Sequence, residues 1–208
     1  MIGRIAVTIL LVLVAACNGV SETASVQGTG VVFPSGSTVH PDACIQESAR
    51  QQLNQGDGGY FLLQFSHSLD QDTRATLEGV NVVFHDYVPN YAYYAYLPPE
   101  SLATLEQLVE AGTVRHVGPI PIEAKLESGL GEKIQADADQ RFDVIVQFFE
   151  ELPPAAKGEL EALMEVREYS FGPVNLAEGR VAATDVETIL SLPFVKWMEE
   201  QVPMELGD

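Results

Sequence analysis

Basic residues are scarce: 11 Lys and Arg face 30 Asp and Glu in 208 residues, a formal charge of −19. A nucleic-acid binder needs a basic face, and that balance does not supply one. Cysteine is scarcer still, with Cys17 and Cys44 alone. Two cysteines cannot build a disulfide-dense scaffold, and these do not form a zinc-like pair. A phosphate-binding loop is missing as well; Asp57-Gly58-Gly59 reads as a turn before a strand and lacks the length and the lysine such a loop needs. The acid pairs Glu150-Glu151 and Glu199-Glu200 lack the alternating oxygen spacing of a calcium loop. Nothing sets two carboxylates across a cleft as glycoside hydrolysis requires. No metal and no small-molecule cofactor is expected. The hydrophobic content of 46% is ordinary, so the chain has enough apolar side chain for a core.

Met1 to Arg4 is a short basic head, and Ile5 to Ala16 has the length of a signal h-region, short for a membrane helix. The stretch closes Val14-Ala15-Ala16-Cys17, which resembles a bacterial lipoprotein signal peptide. That resemblance implies cleavage before Cys17, lipid on its thiol, and an exported protein held at the outer membrane or cell surface; Asn18 accords with outer-membrane sorting. Residues 1–16 are then the signal peptide, and 17–38, rich in Ser, Thr and Gly, a flexible tether. Residues 39–59 form a short helical or irregular lead-in carrying Ala43, Ile45, Ala49 and Leu53. With Cys17 acylated, Cys44 is left as a small buried hydrophobe; a disulfide between the two is the other reading.

The remainder reads as one unit written twice. In residues 60–126, YFLLQF is a strand, 69–77 a short helix begun by Ser68 or Asp70, and VNVVFHDYV a second strand. After a turn at Pro89-Asn90, YAYYAYL is a third strand; Leu102, Leu105, Leu108 and Val109 mark a second helix, and Val114 opens a fourth strand. Residues 142–208 repeat this order after a linker at 127–141 that carries Gly129, Gly131 and four acids. There Thr184 and Glu187 have the spacing of a capping box. Strand, helix, strand, strand, helix, strand is the order of a split βαβ. The expected fold is α+β: two tandem ferredoxin-like (βαββαβ) domains, antiparallel sheets with helices on one face. The other face of the first sheet needs a cover, and one of two tyrosine sets must point to it: Tyr91 and Tyr93, or Tyr94 and Tyr96.

Residues 60–126 resemble the N-terminal pro-region of bacterial subtilisin-like serine peptidases. The likeness lies in YFLLQF, in Asp86-Tyr87-Val88-Pro89-Asn90-Tyr91-Ala92-Tyr93, and in Val114-Arg115-His116-Val117-Gly118-Pro119 running to Ala124-Lys125-Leu126. The second unit looks like a weaker member of the same inhibitor-like group. Such pro-regions chaperone and inhibit their enzyme, with the open sheet face on the catalytic domain and the C-terminal tail in the substrate cleft. The catalytic domain itself is missing: the chain has no His-Gly-Thr, Gly-Thr-Ser-Met-Ala or Asp-Thr-Gly stretch, and His67, His85 and His116 stand apart.

The resemblance therefore implies a non-catalytic, lipid-anchored inhibitor or folding chaperone of a secreted subtilisin-like serine peptidase. Its cleft-binding tail would be Pro203, Met204, Glu205 and Leu206, with Glu123, Ala124, Lys125 and Leu126 as a second candidate. The alternative is a surface structural or adhesive module that keeps the fold without binding a peptidase. Charge is uneven: residues 60–126 carry a net −5 and residues 142–208 a net −10. Such a charge would steer the second unit toward a basic partner or, as the plainer reading, give it a solvated, solubilizing face.

Overall fold

The computed structural model describes residues 30–202. A short hairpin comes first, β1 (Val31–Val32) paired with β2 (Thr38–Val39), followed by α1 (Glu47–Asn54). The first unit is β3 (Gly59–Phe65), α2 (Gln71–Glu78), β4 (Val83–Val88), β5 (Ala92–Leu97), α3 (Leu102–Glu110) and β6 (Val114–Pro119). A 3-10 turn at Ile122–Ala124 leads to α4 (Ser128–Ala136). The second unit is β7 (Arg141–Phe148), α5 (Pro154–Glu161), β8 (Met164–Ser170), β9 (Asn175–Ala182), α6 (Val186–Ser191) and β10 (Val195–Glu200).

The protein is α+β with two four-stranded antiparallel sheets, ordered β4-β5-β3-β6 and β10-β7-β9-β8. Period-two alternation sets the faces. Phe61, Leu63 and Phe65 of β3 join Ala95, Leu97, Val114 and Val117 beneath Leu77 of α2 and Leu105 of α3. Phe142, Val144, Val146 and Phe148 do the same in the second core, under Leu160 of α5 and Ile189 of α6. Asp70 starts α2 as expected, its carboxylate accepting from the Thr73 amide at 2.8 Å. That amide holds the Asp70 carboxyl below its ordinary range.

Each sheet has a third helix and a parallel cap. Ile45 bridges Val117, with the Gln46 amide donating to the Val117 carbonyl and the Val117 amide to that of Cys44. Leu126 bridges Met198 through the same pattern, and both partners stand 81 residues beyond Ile45 and Val117. The repeat is therefore longer than its six-element core. It starts at the cap and includes α1 or α4.

Three expectations are corrected here. Residues 30–38, read as tether, pack on the protein: Val31 and Phe33 are buried, their apolar side chains driven onto the first sheet. Residues 127–141, read as linker, contain α4, whose Leu130 is fully buried in the second core. The Thr184–Glu187 capping box does not form, because a 3-10 turn at Ala183–Asp185 precedes α6 and no side chain caps it.

Candidate functional site

The two sheets treat their helix-free faces differently. On the first, Leu62, Val88, Ala92 and Tyr94 are buried beneath Val31 and Phe33, beneath Ile120 and Ala124, and beneath Phe149 of the second unit. The tyrosines proposed for this face divide between three places. Tyr94 and Tyr96 belong to it; Tyr93 points to the helices with Phe84 and Phe65. Tyr91 is an exposed turn residue at φ 60°. The face is sealed by the chain itself.

Phe149 is the center of that seal. Its ring stacks on Tyr60 with centroids 4.1 Å apart and meets His85 and Tyr94 edge-on at 5.3 and 6.0 Å. Burial drives the Tyr60 hydroxyl above its ordinary range, reinforced by the charge and hydrogen bond of Glu150. Burial also holds the His85 ring below the histidine range against the pull of Glu150 and Asp86. Its Nε2 is buried without a hydrogen-bond partner among the described residues. The Lys196 ammonium reaches the Asp86 carboxylate at 2.6 Å and ties β10 to β4 across the two units.

The helix-free face of the second sheet has no buried residue. Asp143, Ile145 and Gln147 of β7, Leu176 and Glu178 of β9, and Trp197 and Glu199 of β10 are all half-buried, and Arg180 is exposed. Arg167 donates to Asp143 at 2.8 Å, and Gln201 to Glu178. Between this face and the first unit lies a cleft of about 410 Å³, walled by Tyr87, Val88 and Tyr94 on one side and Gln147, Trp197 and Glu199 on the other. A second, apolar groove of about 520 Å³ runs between Leu126 and Ile134 on one side and Val186 and Leu190 on the other. Along it α6 has six residues, where α3 of the first unit has nine.

The internal tail candidate is engaged by its own chain. Glu123 lies in the 3-10 turn, Ala124 is buried in the first unit's seal, and Leu126 caps β10. Lys125 is buried, its ammonium donating to the Leu190 carbonyl at 3.0 Å. Cys17 and Pro203 to Leu206 lie outside the described residues. Cys44 is half-buried and disulfide-bonded rather than a buried free thiol. Among the described residues no cluster of His, Cys, Asp or Glu is placed to hold a metal. No helix among them is long and apolar enough to cross a membrane.

Sequence reasoning missed the cleft and the seal. Val31-Val32-Phe33 ahead of Pro34-Ser35-Gly36 was a legible hairpin signal. Asp86, Lys196 and Trp197 had none, since only the packing of the two units brings them together. A family described as Domain of unknown function (DUF8729) matches residues 27–121, which takes in the hairpin, α1 and the first unit. No curated protein and no solved structure matches the chain.

Proposed function

We propose that this chain is an exported, non-catalytic binding protein of two ferredoxin-like units, and that its second unit inhibits or helps to fold a subtilisin-like serine peptidase. Strand order supports the ferredoxin-like assignment. Numbered within each unit it is 4-1-3-2, every neighboring pair is antiparallel, and the helices cover one face.

One observation carries the choice of unit: the helix-free face is sealed in the first sheet and has no buried residue in the second. In the pro-regions that the sequence resembles, that face meets the enzyme and the tail after the last strand enters the cleft. Here the segment after the first unit is committed to capping β10. The segment after β10 begins beside that second face, so the peptidase-binding role falls to Pro203, Met204, Glu205 and Leu206.

The test compares soluble protein, residues 18–208, with a form ending at Val202 against a panel of subtilisin-like enzymes and a small chromogenic substrate. Truncation is expected to weaken inhibition by about tenfold or more. Equal inhibition by both forms would move the contact to the sheet face. No inhibition by intact protein would overturn the reading in favor of a surface module that binds something else.

The proposal also places lipid on Cys17 and the protein on a membrane surface. The structure holds Cys44 in a disulfide and Cys17 is the chain's only other cysteine, so lipid on Cys17 requires that bond to be absent from the processed protein. Protein extracted from membranes is expected to show one reactive thiol after unfolding, that of Cys44, with a diacylglyceryl mass on Cys17. No thiol before reduction, and an unmodified mass, would mean that the disulfide has won and no lipid is attached.

A further inference from the structure

We infer that the cleft between the two units is a receptor for a single basic side chain, arginine or lysine, presented by a partner protein. Its volume of about 410 Å³ lies within the ordinary range of ligand clefts, roughly 300–1,000 Å³. Two aromatic rings stand around it, Tyr94, 5% exposed, and Trp197, half-buried, while the Tyr87 ring turns to Tyr93 on the other face of the sheet. Aromatic faces attract cations, and a guanidinium does so while keeping its in-plane donors free for carboxylates.

The polar groups have the matching sign. Asp86 is shared with Lys196, whereas Glu199 accepts from the Trp197 indole N–H at 3.0 Å and has no cationic partner among the described residues. Two carboxylates against one ammonium leave the lining negative, between units that carry a net −5 and a net −10. Burial, and then the charge of Asp86, hold the Tyr94 hydroxyl in its protonated form, so it adds a neutral wall. An anion would meet two carboxylates and an ammonium already neutralized. The chain also makes this pairing on its own surface: the Arg74 guanidinium lies 4.4 Å from the Phe84 ring centroid, and the Lys157 ammonium 4.5 Å from that of Phe171.

Because the cleft needs only the packing of the two units, the inference does not depend on whether the partner is a peptidase. Trp197 is the only tryptophan in the chain, so its fluorescence reports on the cleft directly. The probes are acetyl-Gly-Arg-Gly-amide and its citrulline counterpart, which keeps the shape and loses the charge. Titration with the arginine peptide is expected to change Trp197 emission saturably, with the citrulline peptide at least about tenfold weaker. Glu199→Gln preserves an acceptor for the indole and should weaken the arginine peptide by about tenfold, while Glu187→Gln on α6 should leave it unchanged. Equal binding of both peptides, an unaffected Glu199→Gln variant, or no saturable change would each overturn the assignment. Equal losses in Glu187→Gln and Glu199→Gln would do so too, by reducing the effect to overall charge.

Discussion

Replacing Phe149 with alanine is expected to destabilize the protein by about 3–5 kcal/mol and to split one unfolding transition into two. The ring is 7% exposed and belongs by sequence to the second unit, but its contacts are Tyr60, His85 and Tyr94 of the first. Truncation removes the buried ring and leaves a void floored by the His85 Nε2, unpaired among the described residues. The cross-unit pair Lys196–Asp86 cannot compensate, since Asp86 is about half exposed and such pairs contribute at most about 1 kcal/mol. The spectroscopic labels are already in place. Six of the seven tyrosines lie in the first unit and the sole tryptophan in the second. In urea the tyrosine and tryptophan signals should coincide for the unmodified chain and separate for Phe149→Ala. A loss below about 1 kcal/mol, with signals still coincident, would show that the seal is not what couples the units.

Most of the elements were legible because their signals are local. Alternation in FDVIVQFF and helical spacing at Leu102 and Leu105 each point to one face of one element, which the structure buries, and YFLLQF, apolar almost throughout, is a strand buried on both faces. Reading stopped at segments whose order depends on distant partners. Residues 127–141 carry two glycines and four acids, the composition of a linker, yet Leu130 finds the second core and orders the helix around it. Val31 and Phe33 sit amid Ser, Thr and Gly and become ordered because a bare sheet face lies within reach. The parallel caps did leave a trace, the spacing of 81 between Ile45 and Leu126. No shared side-chain chemistry accompanies it, because the caps are held by main-chain hydrogen bonds that many residues can make. Cys44 in one cap stands where Lys125 stands in the other. The candidate site was the least legible part, as its two walls come from different units.

Lys125→Met is expected to stabilize the protein at neutral pH and to lose that advantage in alkali. The side chain is 6% exposed and among the described residues has one partner, the Leu190 carbonyl, with no carboxylate to balance its charge. Burial lowers its pKa from 10.5 to about 8. Between those values the unfolded chain holds a proton that the folded chain has released, so stability from this group rises with pH across the window. Below pH 8 both states are protonated, and the folded state carries the full cost of a buried cation, about 3 kcal/mol. Methionine removes that cost at nearly the same length, but it leaves the Leu190 carbonyl without its donor, a loss of about 1 kcal/mol. The variant should therefore be more stable by about 2 kcal/mol at pH 7 and about equal to the unmodified protein near pH 10, where the folded lysine is neutral and still bonded but the unfolded chain keeps most of its proton. Tyr60 and Tyr94, both held above the ordinary tyrosine range, protect the fold until the unfolded chain's tyrosines ionize near pH 10, after which that contribution declines. They are common to both proteins, so the difference between the two urea-denaturation curves isolates Lys125. A difference that stays constant from pH 7 to pH 10 would mean that the ammonium is solvated in the folded protein and that the cap on β10 carries no buried charge.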